Sequence, residues 1–245
     1  MRDADAIITL GEQMKAGIIA EGIPAEKITL APNSVGGDFL SEPETRSAAR
    51  VKLGLDPTLN YIGTVSSLVD YEGIDDLIEA FAILAPTFPD LRLLLVGSGT
   101  AVPVLQQRAA TLGLSGRIIF TGRVPRSMTP LYHQALDIFV VPRKDLAVTR
   151  AVTPLKPVEA LASARPVVAS DLPALREIVQ DRSTGLLTPA NSPQSLAKSL
   201  AELLNNPEYC DQLGAAGRID VLKNRTWTAC AAAMGANYER LGAKI

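Results

Sequence analysis

From residue 59 onward, short continuous apolar runs alternate with segments whose apolar residues recur every three or four positions. The runs NYIGTV (60–65), LRLLLVG (91–97), RIIFTG (117–122), DIFVVP (137–142), RPVVAS (165–170) and TGLLTP (184–189) predict strands. Most are apolar at consecutive rather than alternate positions, the pattern of strands covered on both faces, so the predicted sheet is parallel. Between them the periodicity predicts helices over 73–85, 101–113, 129–136, from near Pro154, 173–181 and 192–206. Ser192 followed by Pro193 predicts a capped start for the last of these, with Leu196, Leu200 and Leu203 as its apolar stripe. Successive βα units of this kind predict a doubly wound, Rossmann-like α/β fold with helices on both faces and right-handed crossovers.

Two more helices are predicted to finish the chain. The last carries Trp227, Cys230, Ala231, Met234, Tyr238 and Leu241 at helical spacing, with Trp227 expected to anchor it in the core. The beginning differs: strand AIITL, helix EQMKAGIIAEG, strand KITLAP and the turn-prone NSVGGD make one βαβ-like piece and a linker. Residues 1–40 are therefore set apart from a main domain over 41–245.

Composition narrows the function classes. The 24 Lys and Arg against 26 Asp and Glu leave a net charge of −2, so no global field draws the chain to nucleic acid or an anionic membrane. Cys210, Cys230 and the single His133 lack metal-ligand spacing, and no disulfide framework is implied. The opening MRDADAIITL lacks the basic start and longer apolar stretch of a signal peptide. No apolar run approaches the ~18 residues of a membrane span. The expected location is cytoplasmic, with peripheral contact at the inner membrane face left open.

In an open parallel sheet, ligands bind beyond the carboxyl ends of the strands. The segments that leave those ends are TVSSLVDYEG, GSGT, TGRVPRS, PRKDLAVTRAVTPLKP and SDLPALRE, all on one rim. They bring Ser66, Ser67, Gly97, Gly99, Arg123, Val124, Arg143, Lys144 and Arg150 together with helix N-termini, which favour an anion. A phosphorylated ligand is expected. Gly97-Ser98-Gly99 is too short for a Walker loop and misses the dinucleotide fingerprint, and an ordinary strand-to-helix turn accounts for it as well. Asp75 and Asp76 fall in the first turn of a helix, where acids complement the dipole, and His133 is expected on a helix surface.

The stretch VTPLKPVEALASARPVVASD carries the most chemistry. Thr153 is a candidate N-cap and Pro154 a candidate first helical residue, which places Lys156 at the mouth of the helix. Glu159, three residues on, shares its face, while Leu155, Val158 and Ala162 turn inward. A cation beside a phosphate and a carboxylate that accepts from two hydroxyls suit a nucleotide's phosphate and ribose. An exposed Lys–Glu pair worth about 0.2–0.5 kcal/mol is the plain alternative.

VEALASARPVVASDLPALREIV, LVDYEGIDDLIEA, FTGRVP and RTWTACAAAMGANYERL, in this order, resemble the donor-binding half of the GT4-type retaining glycosyltransferases of GT-B fold. The resemblance covers nearly the whole chain. It implies that Glu159 holds the donor's ribose hydroxyls, that the Leu155 backbone N–H meets the phosphates, and that Arg123 and Val124 contact the base. It further implies transfer of a glycosyl group from a nucleotide-diphosphate sugar, the leaving diphosphate being stabilised by fixed cations and a helix N-terminus without an obligatory metal.

Several positions depart from the family pattern. The first acid of its E-x7-E motif falls at Ala151, Ser67 stands for a phosphate-binding arginine, Glu72 for a lysine, and Ser66 and Ala164 for glycines. Lys156, Arg143 and Arg150 are expected to take over the phosphate charge, with Lys156 and Arg143 as the catalytic pair. Residues 1–40 resemble only the end of the acceptor-binding domain, so a separate N-terminal half or a second copy of the chain is an expected partner beside the nucleotide sugar and an unspecified acceptor. A non-catalytic nucleotide-sugar binding module and a GT-B epimerase are the competing readings.

Overall fold

The computed structural model describes residues 3–240 and Gly242. Leu241, the end of the predicted terminal stripe, lies outside the described residues. Near the N-terminus, β1 (Ile7–Thr9), α1 (Glu12–Ala20) and β2 (Ile28–Leu30) form the expected βαβ piece, its two strands pairing in parallel. A linker and the short α2 (Arg46–Lys52), capped by Thr45, lead into the main sheet.

Every predicted strand forms within two residues of its expected bounds: β3 (Asn60–Val65), β4 (Leu91–Val96), β5 (Ile118–Gly122), β6 (Ile138–Val141), β7 (Val167–Ser170) and β8 (Gly185–Thr188). They pair in parallel in the order β5-β4-β3-β6-β7-β8. The chain winds outward from β3 in one direction and then returns to wind the other way from β6, so the loops after β3 and β6 diverge at a topological switch point.

The continuous apolar runs are explained by layers on both faces. Leu93 and Leu95 of β4 enter one core with α3 (Ile74–Leu84), α4 (Val102–Thr111) and α9 (Pro193–Leu204). Leu94 and Val96 enter the other core, with α7 (Lys156–Ala162) and α10 (Pro207–Asn224). On this second side α5 (Thr129–Ala135) packs against α2, α7 and β3. Burying both faces of a strand removes the polar positions that an alternating pattern would need.

Several helical expectations change. The short α6 (Ala147–Ala151) forms inside the segment after β6, where no helix was predicted. The helix expected over 173–181 stops early as α8 (Pro173–Arg176), because the Gln180 N–H is taken by Thr184 Oγ1 at 2.9 Å in a local turn. In the terminal α11 (Trp227–Arg240), Trp227 is not a core anchor: it is 52% exposed, lying against Gly36 with its backbone N–H donated to the Val35 carbonyl. Cys230 is buried, whereas Ala231 and Tyr238 are exposed. Among the described residues no helix is long and apolar enough to cross a membrane.

Candidate nucleotide-sugar cleft

A cleft of about 460 Å³ opens at the carboxyl ends of β3, β4 and β5, with the start of α7 forming its other wall. Of the residues singled out in the sequence, Ser66, Ser67, Gly97, Arg123, Val124, Lys156 and Glu159 line it. Ser98 and Thr129, not singled out, line it too. The backbone itself shapes the β3–β4 wall. Gly97 has φ +133°, and an added Cβ would stand 1.9 Å from the Ser66 carbonyl oxygen. Gly99 does not line the cleft; it packs against the Leu68 carbonyl, where a Cβ would come within 2.1 Å.

The start of α7 differs from expectation. Its first residue is Lys156 rather than Pro154, and Leu155 precedes it without a side-chain cap. Thr153 is buried and engaged elsewhere: Asn33 Nδ2 donates to its carbonyl at 2.8 Å, and its hydroxyl faces the Leu10 carbonyl at 3.5 Å. Thr153 is therefore spent on joining the main sheet to the N-terminal piece, and neither Pro154 nor Leu155 lines the cleft. Lys156 and Glu159 both reach the cleft, but they do not pair with each other.

Lys156 Nζ instead donates to Glu72 Oε1 at 2.9 Å, and Arg143 grips the same carboxylate at 3.0 and 3.3 Å. Glu72, expected only as a substitution for a lysine, is buried between two cations contributed by distant segments. Burial raises the Glu72 pKa, but the hydrogen bond from Arg143 and the charges of Lys156 and Arg143 outweigh it and hold the carboxyl below its ordinary value. An acid at 72, where the resemblance implies a lysine, is the sequence signal that the charges here are rearranged.

The expectation that Arg143 and Arg150 would face the phosphates is corrected by these contacts. Arg143 is buried, with its third bond to the Val152 carbonyl at 3.0 Å. Arg150 lies on α6 and pairs with Asp145 at 3.0 Å, outside the cleft. Lys144 is spent on Asp75 and Asp76, at 2.7 and 2.8 Å. Burial lowers the Lys144 pKa, but those two acids more than offset it and hold the ammonium above its ordinary value. Lys156 and Arg123 are left as the cations lining the cleft.

His133 was expected on the surface and is fully buried beneath Glu159, with Nε2 3.6 Å from Glu159 Oε2. A second hollow of about 420 Å³, with a mostly apolar lining that includes Tyr71, Val104 and Leu146, lies near the starts of α3 and α4. None of Lys156, Glu159 or Arg123 lines it.

The sequence model for glycosyl transferases group 1 matches residues 45–220. A GDP-mannose-dependent alpha-(1-6)-phosphatidylinositol monomannoside mannosyltransferase of Mycolicibacterium smegmatis is 29% identical over 228 residues, covering 92% of this chain and 59% of that protein. The sucrose-phosphate synthase of Thermosynechococcus elongatus superposes with a TM-score of 0.83 at 26% identity, over 98% of this chain and 59% of that one. The C-terminal domain of a glycosyl transferase group 1 family protein (LpcC) from Francisella tularensis superposes at 0.68 and 25% identity, over 78% of this chain and 100% of that one. This chain thus spans 59% of the length of the mannosyltransferase it matches. With 45–220 covering the sheet and the cleft, the chain belongs to the glycosyl transferases group 1 family.

Proposed function

We propose that the chain is the nucleotide-sugar-binding half of a retaining glycosyltransferase of GT-B fold. The observation that carries this reading is the convergence of Lys156 and Glu159 on one cleft whose opposite wall holds Arg123 and Val124. In this reading the base lies against Arg123 and Val124, Glu159 accepts from the pentose hydroxyls, and Lys156 faces the diphosphate. As the glycosyl bond breaks, negative charge grows on the diphosphate, and a fixed ammonium at that point stabilises the transition state more than the ground state. Glu72, itself gripped by Arg143, acts from behind by holding that ammonium in place. In this reading the charge of the leaving group is met by Lys156.

Ala151, in place of the first acid of the family motif, favours a second reading, a module that binds the nucleotide sugar without transferring it. The relative named for GDP-mannose makes guanosine diphosphate one probe, and uridine diphosphate is the second. Calorimetric titration of both should show binding of at least one, weakened by Lys156→Ala and by Glu159→Ala. Absence of binding by either diphosphate overturns the reading. Binding without glycosyl release from the corresponding sugar nucleotide, in the presence of acceptor-domain protein, selects the second.

A further inference from the structure

His133 is fully buried in α5, and neither Nδ1 nor Nε2 has a hydrogen-bond partner among the described residues. Two unpaired ring nitrogens in a closed interior are costly, and an apolar residue would suit the packing better. Phe39 from the linker meets the ring edge-on at 5.8 Å between centroids, and Phe139 of β6 meets it at 5.0 Å. Held between them, the ring presents Nε2 at 3.6 Å from Glu159 Oε2, just outside hydrogen-bond reach. Glu159 lines the cleft, and among the described residues its carboxylate accepts no hydrogen bond. Two groups that each lack a partner thus face one another across a gap that a small side-chain rotation closes.

We propose that His133 is a positioning residue for Glu159: its Nε2–H donates to Oε2 when a ligand draws the carboxylate in, fixing the orientation in which Glu159 accepts from the pentose hydroxyls. The inference rests on the assignment of Glu159 to the pentose. Each carboxylate oxygen has two lone pairs, so Oε2 keeps capacity toward the cleft and Oε1 remains for a second hydroxyl.

The test compares binding of guanosine and uridine diphosphates with that of their 2′,3′-dideoxy counterparts, by calorimetry on the full chain. Glu159→Ala is expected to erase the preference for the hydroxylated pentose. His133→Phe keeps a ring between the two phenylalanines but no donor, and should narrow that preference about two- to tenfold, the worth of one hydrogen bond. His133→Gln, whose amide reaches as far as Nε2, should restore it, whereas His133→Asn, which stops near Nδ1, should not. Affinity for the dideoxy compounds should be the same in all three histidine variants. If Glu159→Ala loses the preference while His133→Phe and His133→Asn keep it, the histidine is a packing residue and the pentose assignment stands. If Glu159→Ala keeps the preference, or neither diphosphate binds, the assignment fails and the inference with it. Should the phenylalanine variant not fold, the glutamine and asparagine pair decides by the same comparison.

Discussion

Lys156 Nζ lies 2.9 Å from Glu72 Oε1, so the cation that faces the cleft is aimed by an acid buried behind it. The two residues carry different burdens. Glu72 compensates Lys156 and the buried Arg143 together, and removing one partner of a buried ionic cluster leaves charge uncompensated. Glu72→Ala is expected to destabilise the fold by about 3–5 kcal/mol in urea unfolding. Lys156→Ala leaves the Arg143–Glu72 pair intact, so it should cost far less stability. It should weaken diphosphate binding at least about tenfold, because a charge-assisted bond contributes about 1.5–3 kcal/mol.

The same cluster sets a pH dependence. The Glu72 carboxyl is held below its ordinary value of 4.5 in the folded chain, so as pH falls past that value the unfolded chain takes up a proton that the folded chain does not. The stability contributed by Glu72 is therefore present above about pH 4.5 and is lost as pH drops through the lower folded pKa. Glu72→Gln removes this contribution. The stability gap between wild type and Glu72→Gln should be widest near neutrality and shrink on acidification from pH 5 toward pH 3, values spanning the ordinary carboxylate range. A gap that stays constant over that span would show that the carboxylate is not selectively stabilised by folding.

The contrast between what the sequence conveys and what it hides is physical. The six strands are legible because burial on two faces demands unbroken apolar runs, and β3 begins and ends where its run does. The Lys156–Glu72 pair joins residues 84 apart, and no local pattern reports that Glu72 is buried. His133 occupies a polar-looking position in PLYHQAL, and its burial against Phe39 and Phe139, from a linker and a strand, is set by residues far away in sequence. Trp227 fails the other way: a large apolar residue at helical spacing is exposed because the helix start is fixed by the Val35 backbone pairing. Periodicity describes what an element needs on its own faces, whereas the cleft is assembled by loops whose partners are set by topology.

The wall between β3 and β4 makes a sharper demand. At Gly97 a side chain meets both an unfavourable φ of +133° and the Ser66 carbonyl at 1.9 Å. Gly97→Ala should destabilise the chain by about 2–4 kcal/mol and push the Ser66 segment into the cleft, lowering diphosphate affinity as well. Gly116, where an added Cβ meets nothing within 4 Å, is the matched control. Gly116→Ala should stay within about 0.5 kcal/mol of wild type in the same denaturation experiment.

Glu177 ties the first 40 residues to the main domain. Its carboxylate accepts from the backbone N–H groups of Glu12 at 2.9 Å and Gln13 at 3.1 Å, capping α1 from a residue 164 or more positions away. Gly11, the residue before α1, supplies no side-chain cap, so the first turn depends on this distant acid. It also leaves room for it, since a Cβ on Gly11 would stand 2.5 Å from Glu177 Oε2. Glu177→Ala should cost about 1 kcal/mol, the usual worth of a cap, and that loss should be local. Amide exchange is expected to rise over Glu12–Ala20 while β3, β4 and β6 keep their protection. Uniform loss of protection would instead mean that α1 and the main sheet open together, as one cooperative unit.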